Sequence, residues 1–166
     1  WWRSGASYGS VWLIDVNLVG GRLVVPTVLG HSMPGGLVTA LAILGWVVAL
    51  AVGAAFALSL TRRPTVAEIS LVMLVIVLVT GKAVPVQAGL WLLPLMALAG
   101  VKWRDHLVWA GCEAVYFVAV WLYIAGLSKP DRGLPSGGYT MLLVLRVAAM
   151  LVVLVQVWRA PEAPAA

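Results

Sequence analysis

The residues of this chain that could do chemistry are few, and they stand out against valine, leucine and alanine. Between two strongly apolar runs the sequence reads LVTGKAVPVQAGLWLLPL (78–95), which sets Lys82, Pro85, Gln87 and Trp91 close together. A lysine beside unwound backbone is suited to an anionic phosphate. Its ammonium is a point charge, and the N-terminus of the following helix adds a partial positive charge of its own. Gln87 could hydrogen-bond a phosphate or sugar oxygen, and Trp91 could pack against a sugar face or a lipid chain. A plainer reading stands beside this one: Lys82 snorkels to the membrane surface and Trp91 belongs to an aromatic belt.

Glu113 and Arg146 are the other charges placed well inside apolar runs. Counted from helix ends near 106 and 157, they lie roughly 10 and 17 Å deep at helical rise. An extended arginine spans that difference if the two helices are neighbours. Neither charge tolerates hydrocarbon alone, so a structural ion pair is expected to lock the last two spans together. The two histidines, His31 and His106, have no ligand spacing, and no metal site is expected. No nucleotide or nucleophile-elbow motif survives its context, and no cofactor is implied. Cys112 is the only cysteine, so it forms no intrachain disulfide and reads as a small packing residue. Asp105 follows KWR where a helix cap would sit.

The elements that must hold these residues are membrane helices. Of 166 residues, 63% are hydrophobic and only 10% charged, and the mean hydropathy is +1.03. Soluble domains hold about 45–50% apolar and 25% charged residues. The net charge of +5 comes from basic residues scattered at the ends of apolar runs. That pattern fits topology and lipid headgroups and not a nucleic-acid surface. Residues 36–60, 106–127 and 139–158 each supply the roughly 20 apolar residues that a bilayer demands. Gly45, Gly53, Ala54 and Ala55 in the first of them would let a neighbouring helix come close.

Residues 69–80 and 88–101 are too short, covering only about 18–21 Å each. Pro85 forbids fusing them into one helix. They are expected to be two short helices flanking a re-entrant dip at GKAVPVQ, where irregular backbone is tolerated only against protein or water. Short segments of this kind are a pointer to a binding site. The expected fold is thus all-α, a polytopic bundle of about five membrane helices, two of them short. Residues 1–35 read as an outer, interfacial segment with a short amphipathic helix near 10–18, residues 36–158 as the bundle, and 159–166 as a disordered tail. If TRRPT, VKWRDH and VWRAPE are cytoplasmic, the segments alternate correctly, although Lys and Arg then number five on each side, with Arg146 within the membrane.

The stretch GKAVPVQAGLWLLPLMALAGVKWRDHLVWAGCEAVYFVAVWLY resembles the C-terminal part of glycosyltransferase family 87. Its members are multi-span, GT-C-type mannosyltransferases that use a polyprenyl-phosphate sugar. The family pattern is matched at Lys82, Gln87, Leu90, Trp91, Leu92, Leu93, Pro94 and Leu95, then at Trp103, Arg104, Glu113 and Tyr116. Upstream, RSGASYGSVW is similar to a second family stretch at Arg3, Ala6, Tyr8, Gly9, Ser10 and Trp12. Val84 and Ala88 replace two aromatics of the pattern, and Pro85 comes one place early.

The resemblance implies a hexose, mannose by family, moved from a polyprenyl phosphate to a cell-envelope glycolipid or glycan outside a bacterial plasma membrane. Lys82, Gln87 and Trp91 would grip the donor phosphate and lipid, with Arg3 and Tyr8 on the substrate side. The implied partners are the polyprenyl-phosphate sugar, membrane lipids and a missing N-terminal part of the same chain, because the sequence starts at Trp1 and reads as a piece of a longer protein. Such enzymes carry their catalytic acid on a first outward loop with no counterpart here, so no catalytic residue is assigned. The competing expectation is a non-catalytic membrane subunit that serves helix–helix or lipid contact.

Overall fold

The computed structural model describes residues 6–15, 27–28, 31–59, 63–128 and 130–159. Among them are five α-helices: α1 (Gly35–Ser59), α2 (Val66–Thr80), α3 (Leu92–Leu98), α4 (Trp103–Ser128) and α5 (Ser136–Trp158). The fold is an all-helical bundle, and three helices (α1, α4 and α5) are long and apolar enough to cross a membrane. Among the described residues, strand structure is confined to a two-residue antiparallel pairing, Thr27 with Ser32 and Val28 with His31. The expected amphipathic helix near 10–18 opens as a 3-10 turn at Val11–Leu13 and continues as α-helix through residues 14–15, and residues 16–18 lie outside the described set. So does the tail from residue 160 onward.

Helix α1 packs along α2 on a stripe of small residues. Gly45, Ala49 and Gly53 recur every four residues and are buried. A Cβ at Gly45 would overlap the Thr80 side chain, and one at Gly53 would lie 2.7 Å from Met73 Cγ. Close backbone approach of this kind is how membrane helices gain packing without a hydrophobic drive. Ala54 and Ala55, expected in the same contact, face outward instead. At 3.6 residues per turn they are rotated about 100° and 200° away from Gly53.

Helix α2 starts on a reciprocal cap. The Glu68 N–H donates to Thr65 Oγ1 at 3.2 Å, and the Thr65 N–H donates to Glu68 Oε2 at 2.7 Å. Fifteen residues later it stops at Gly81, whose backbone is extended. At about 22 Å it falls short of a bilayer core of about 30 Å. The chain then runs irregularly to Pro85, which opens a 3-10 helix at Val86–Trp91 that passes into α3. The second short helix was expected as one segment over 88–101; the 3-10 opening has a local cause. Pro94 has no N–H, and its ring would clash with the carbonyl four residues back, so α-geometry begins only at Leu92, where that missing donor falls in the first turn. At the far end Gly100, at φ +66°, turns the chain, and the Val101 N–H closes back on Met96 O at 3.1 Å.

Helices α4 and α5 form an antiparallel pair. Helix α4 begins three residues earlier than expected, so Asp105 sits within its first turn and is not its cap. A carboxylate there still complements the helix dipole. The pair is filled by Trp109, Tyr116, Val120 and Tyr123 from α4 against Tyr139, Leu143, Arg146, Met150 and Val153 from α5, all buried. Tyr123 and Tyr139 stack face to face, centroids 4.5 Å apart and 11° from parallel. The outer faces of the long helices stay apolar, with Leu50, Val118, Trp121 and Val152 exposed, as lipid contact requires.

Candidate functional site at the dip

The end of α2, the irregular residues 81–85 and the 3-10 helix enclose one side of a cavity of about 350 Å³. Helix α1 closes the other side with Ala42 and Trp46. The walls are mostly apolar, from Val77, Leu78, Val84, Pro85 and Ala88, and among the described residues Lys82 is the one charged side chain lining them. Lys82 is only 2% exposed, and its Nζ donates to Thr39 Oγ1 on α1 at 2.6 Å. The lysine therefore turns into the bundle and does not snorkel. Trp91 lines the cavity yet is 61% exposed, and Trp46 is also exposed. The cavity thus reaches the lipid-facing surface between two indoles.

This arrangement offers a cation deep in an apolar wall with an opening on the apolar outer face of the bundle. A buried ammonium is costly unless it meets hydrogen-bond acceptors or an anion. An amphiphile with an anionic head and an apolar tail satisfies both surfaces at once. The volume falls within the range of about 300–1,000 Å³ typical of small-molecule sites.

Other residues singled out in the sequence fall elsewhere. Gln87 is exposed and is not among the residues lining the cavity. Tyr8 packs edge-on against Tyr123, centroids 6.2 Å apart. Arg3 lies outside the described residues. His106 stacks on Trp103, and its Nδ1 lies 3.4 Å from Lys102 O. Cys112 is free and packs partly buried beside the core.

Glu113 and Arg146 come together in the bundle interior. Arg146 Nε donates to Glu113 Oε1 at 2.9 Å and Oε2 at 3.1 Å. The guanidinium lies over the Tyr116 ring, 4.5 Å from its centroid. Tyr116 and Tyr139 share a hydroxyl–hydroxyl bond of 3.0 Å, and Tyr139 Oη accepts from the Gly9 N–H at 3.0 Å. Among the described residues Arg146 Nη2 has no hydrogen-bond partner. The carboxylate also presses on the 3-10 helix: a Cβ at Gly89 would lie 2.7 Å from Glu113 Cδ. The ion pair therefore supports the dip from behind as well as joining α4 to α5.

Sequence reasoning did not single out Thr39 or Tyr139, and named Ser10 only as a match within the resemblance. Thr39 is the one threonine of α1; its hydroxyl donates to Gly35 O at 2.9 Å, and the lysine that donates to it is 43 residues away. Tyr116 and Tyr123 carried a weak signal, since a spacing of seven puts both on one helix face. Comparison with family models, with curated proteins and with solved structures finds no match to this chain.

Proposed function

We propose that this chain is the donor-binding membrane part of a glycosyltransferase that takes a hexose from a polyprenyl phosphate. The observation that carries the reading is the buried Lys82 in the wall of an apolar, lipid-facing cavity. The resemblance to glycosyltransferase family 87 around Lys82, Trp91 and Pro94 supplies the reaction class, mannose as the sugar, and a cell-envelope glycolipid or glycan as acceptor. It also supplies a bacterial plasma membrane with the dip on its outer side.

In this reading the isoprenoid tail lies against Trp91, Trp46 and the apolar wall. The phosphate meets the Lys82 ammonium. When an acceptor hydroxyl attacks the anomeric carbon, the bond to the phosphate oxygen breaks and negative charge grows on the leaving group. A fixed cation there stabilises that charge more than it stabilises the ground state, which is how binding becomes catalysis. The acceptor proton must pass to an acid–base group, and none of the described residues is assigned that role.

The test is transfer from a polyprenyl-phosphate sugar by the intact enzyme with Lys82→Met, a substitution that keeps length and packing. Transfer is expected to fall about a hundredfold, the scale seen when one preorganised charge-stabilising group is lost, with expression and insertion unchanged. Undiminished transfer would sink the reading and leave the non-catalytic subunit in its place.

A further inference from the structure

The C-terminal end of α2 presents a hydrogen-bonding problem whose solution bears on Lys82. The last carbonyls of a helix have no partner inside it, and hydrocarbon offers them no water. Here the carbonyls of Thr80, Gly81 and Lys82 all accept bonds from one distant stretch. Trp12 Nε1 donates to Thr80 O at 3.0 Å, Ser10 Oγ to Gly81 O at 2.8 Å, and the Ser7 N–H to Lys82 O at 2.8 Å. The same stretch is tied to the far side of the bundle, because the Gly9 N–H donates to Tyr139 Oη. Gly9 sits at φ +85°, and a Cβ there would come 2.5 Å from Val84 O. Residues 7–12 therefore form a clasp between α5 and the dip, and it closes only over a glycine.

We infer that Ser10 and Trp12 are positioning residues for Lys82. Their bonds hold the backbone at 80–82 so that the lysine side chain enters the bundle and reaches Thr39. With a bond removed, a stranded carbonyl turns toward water and the flexible lysine stem follows it to the interface. The importance of that placement for lipid-phosphate binding rests on the function proposed above, whereas the placement itself does not.

The experiment uses the full chain in lipid nanodiscs with no lipid phosphate added. Acylation by a water-soluble amine-reactive ester is followed residue by residue by mass spectrometry, with the exposed Lys102 as internal reference. In the unaltered chain Lys82 is expected to react far more slowly than Lys102. Ser10→Ala should raise the Lys82 rate about tenfold, the scale of one lost buried hydrogen bond. Ser10→Thr, which keeps the hydroxyl, should restore protection. Trp12→Phe keeps most of the ring volume and should act in the same direction as Ser10→Ala.

Protection unchanged in both Ser10→Ala and Trp12→Phe would overturn the inference. So would equal exposure in Ser10→Thr, or a parallel rise in Cys112 alkylation, which would mean that the whole bundle had loosened. Because no ligand is present, the two claims separate. Polyprenyl-phosphate retention undiminished by Lys82→Met removes the proposed function and leaves the clasp, whereas unaltered labelling removes the clasp alone.

Discussion

An arginine side chain only 2% exposed can stay in a membrane bundle because Glu113 and the Tyr116 ring face it. Taking one partner away leaves a buried charge without its counterion, which costs more than the pair itself contributes. Arg146→Met alone is therefore expected to destabilise the chain by about 3–5 kcal/mol. Arg146→Met combined with Glu113→Leu should recover most of that loss. Reversible unfolding in mixed detergent micelles measures both, and equal losses in the single and double variants would contradict the pair's assignment. This pair was legible in the sequence because depth along two helices can be counted from their ends. The inward turn of Lys82 was not legible. On the inference above, its placement depends on Thr39 and on the clasp donors Ser10 and Trp12, and their distance in the chain hides them from any local pattern.

At the scale of the element, length carried most of the information. Apolar runs of 20 or more residues became α1, α4 and α5, and the two short runs separated by Pro85 became α2 and the 3-10/α3 segment. What length cannot say is which face of a helix meets which neighbour. Four small residues in α1 looked alike, yet only Gly45 and Gly53 of those four line the α2 contact, with Ala49 between them. Rotation about the helix axis chooses, and a neighbour fixes the rotation. The two glycines then differ in what they tolerate. Met73 opposite Gly53 is flexible and can yield, whereas the β-branched Thr80 opposite Gly45 is stiff and leads directly into the dip. Gly45→Val is accordingly expected to cost about 1–3 kcal/mol by overpacking. It should also raise the acylation rate of Lys82. Gly53→Ala should do neither to the same extent. Unfolding and lysine labelling on the two variants check this, and a larger effect at Gly53 would count against it.

For the whole molecule, the described contacts gather three distant pieces at one end of the bundle. The N-terminal stretch lies on the carbonyls of 80–82, Tyr8 meets Tyr123 near the end of α4, and Gly9 meets Tyr139 near the start of α5. Of the segment read from the sequence as interfacial, residues 7–12 are thus bonded to the backbone of the site itself. Basic residues could not reveal that arrangement, since the alternation read from the sequence puts five Lys and Arg on each side. On the function proposed above, this end of the bundle holds the phosphate of a lipid through Lys82. Native mass spectrometry of the full chain in nanodiscs, loaded with polyprenyl phosphate or with the uncharged alcohol of the same chain length, tests it most directly. The phosphate should be retained about tenfold better than the alcohol, as expected for one charge-assisted contact, and Lys82→Met should hold the two alike. A wild-type chain indifferent to the phosphate, or a Lys82→Met chain that still prefers it, would contradict the account.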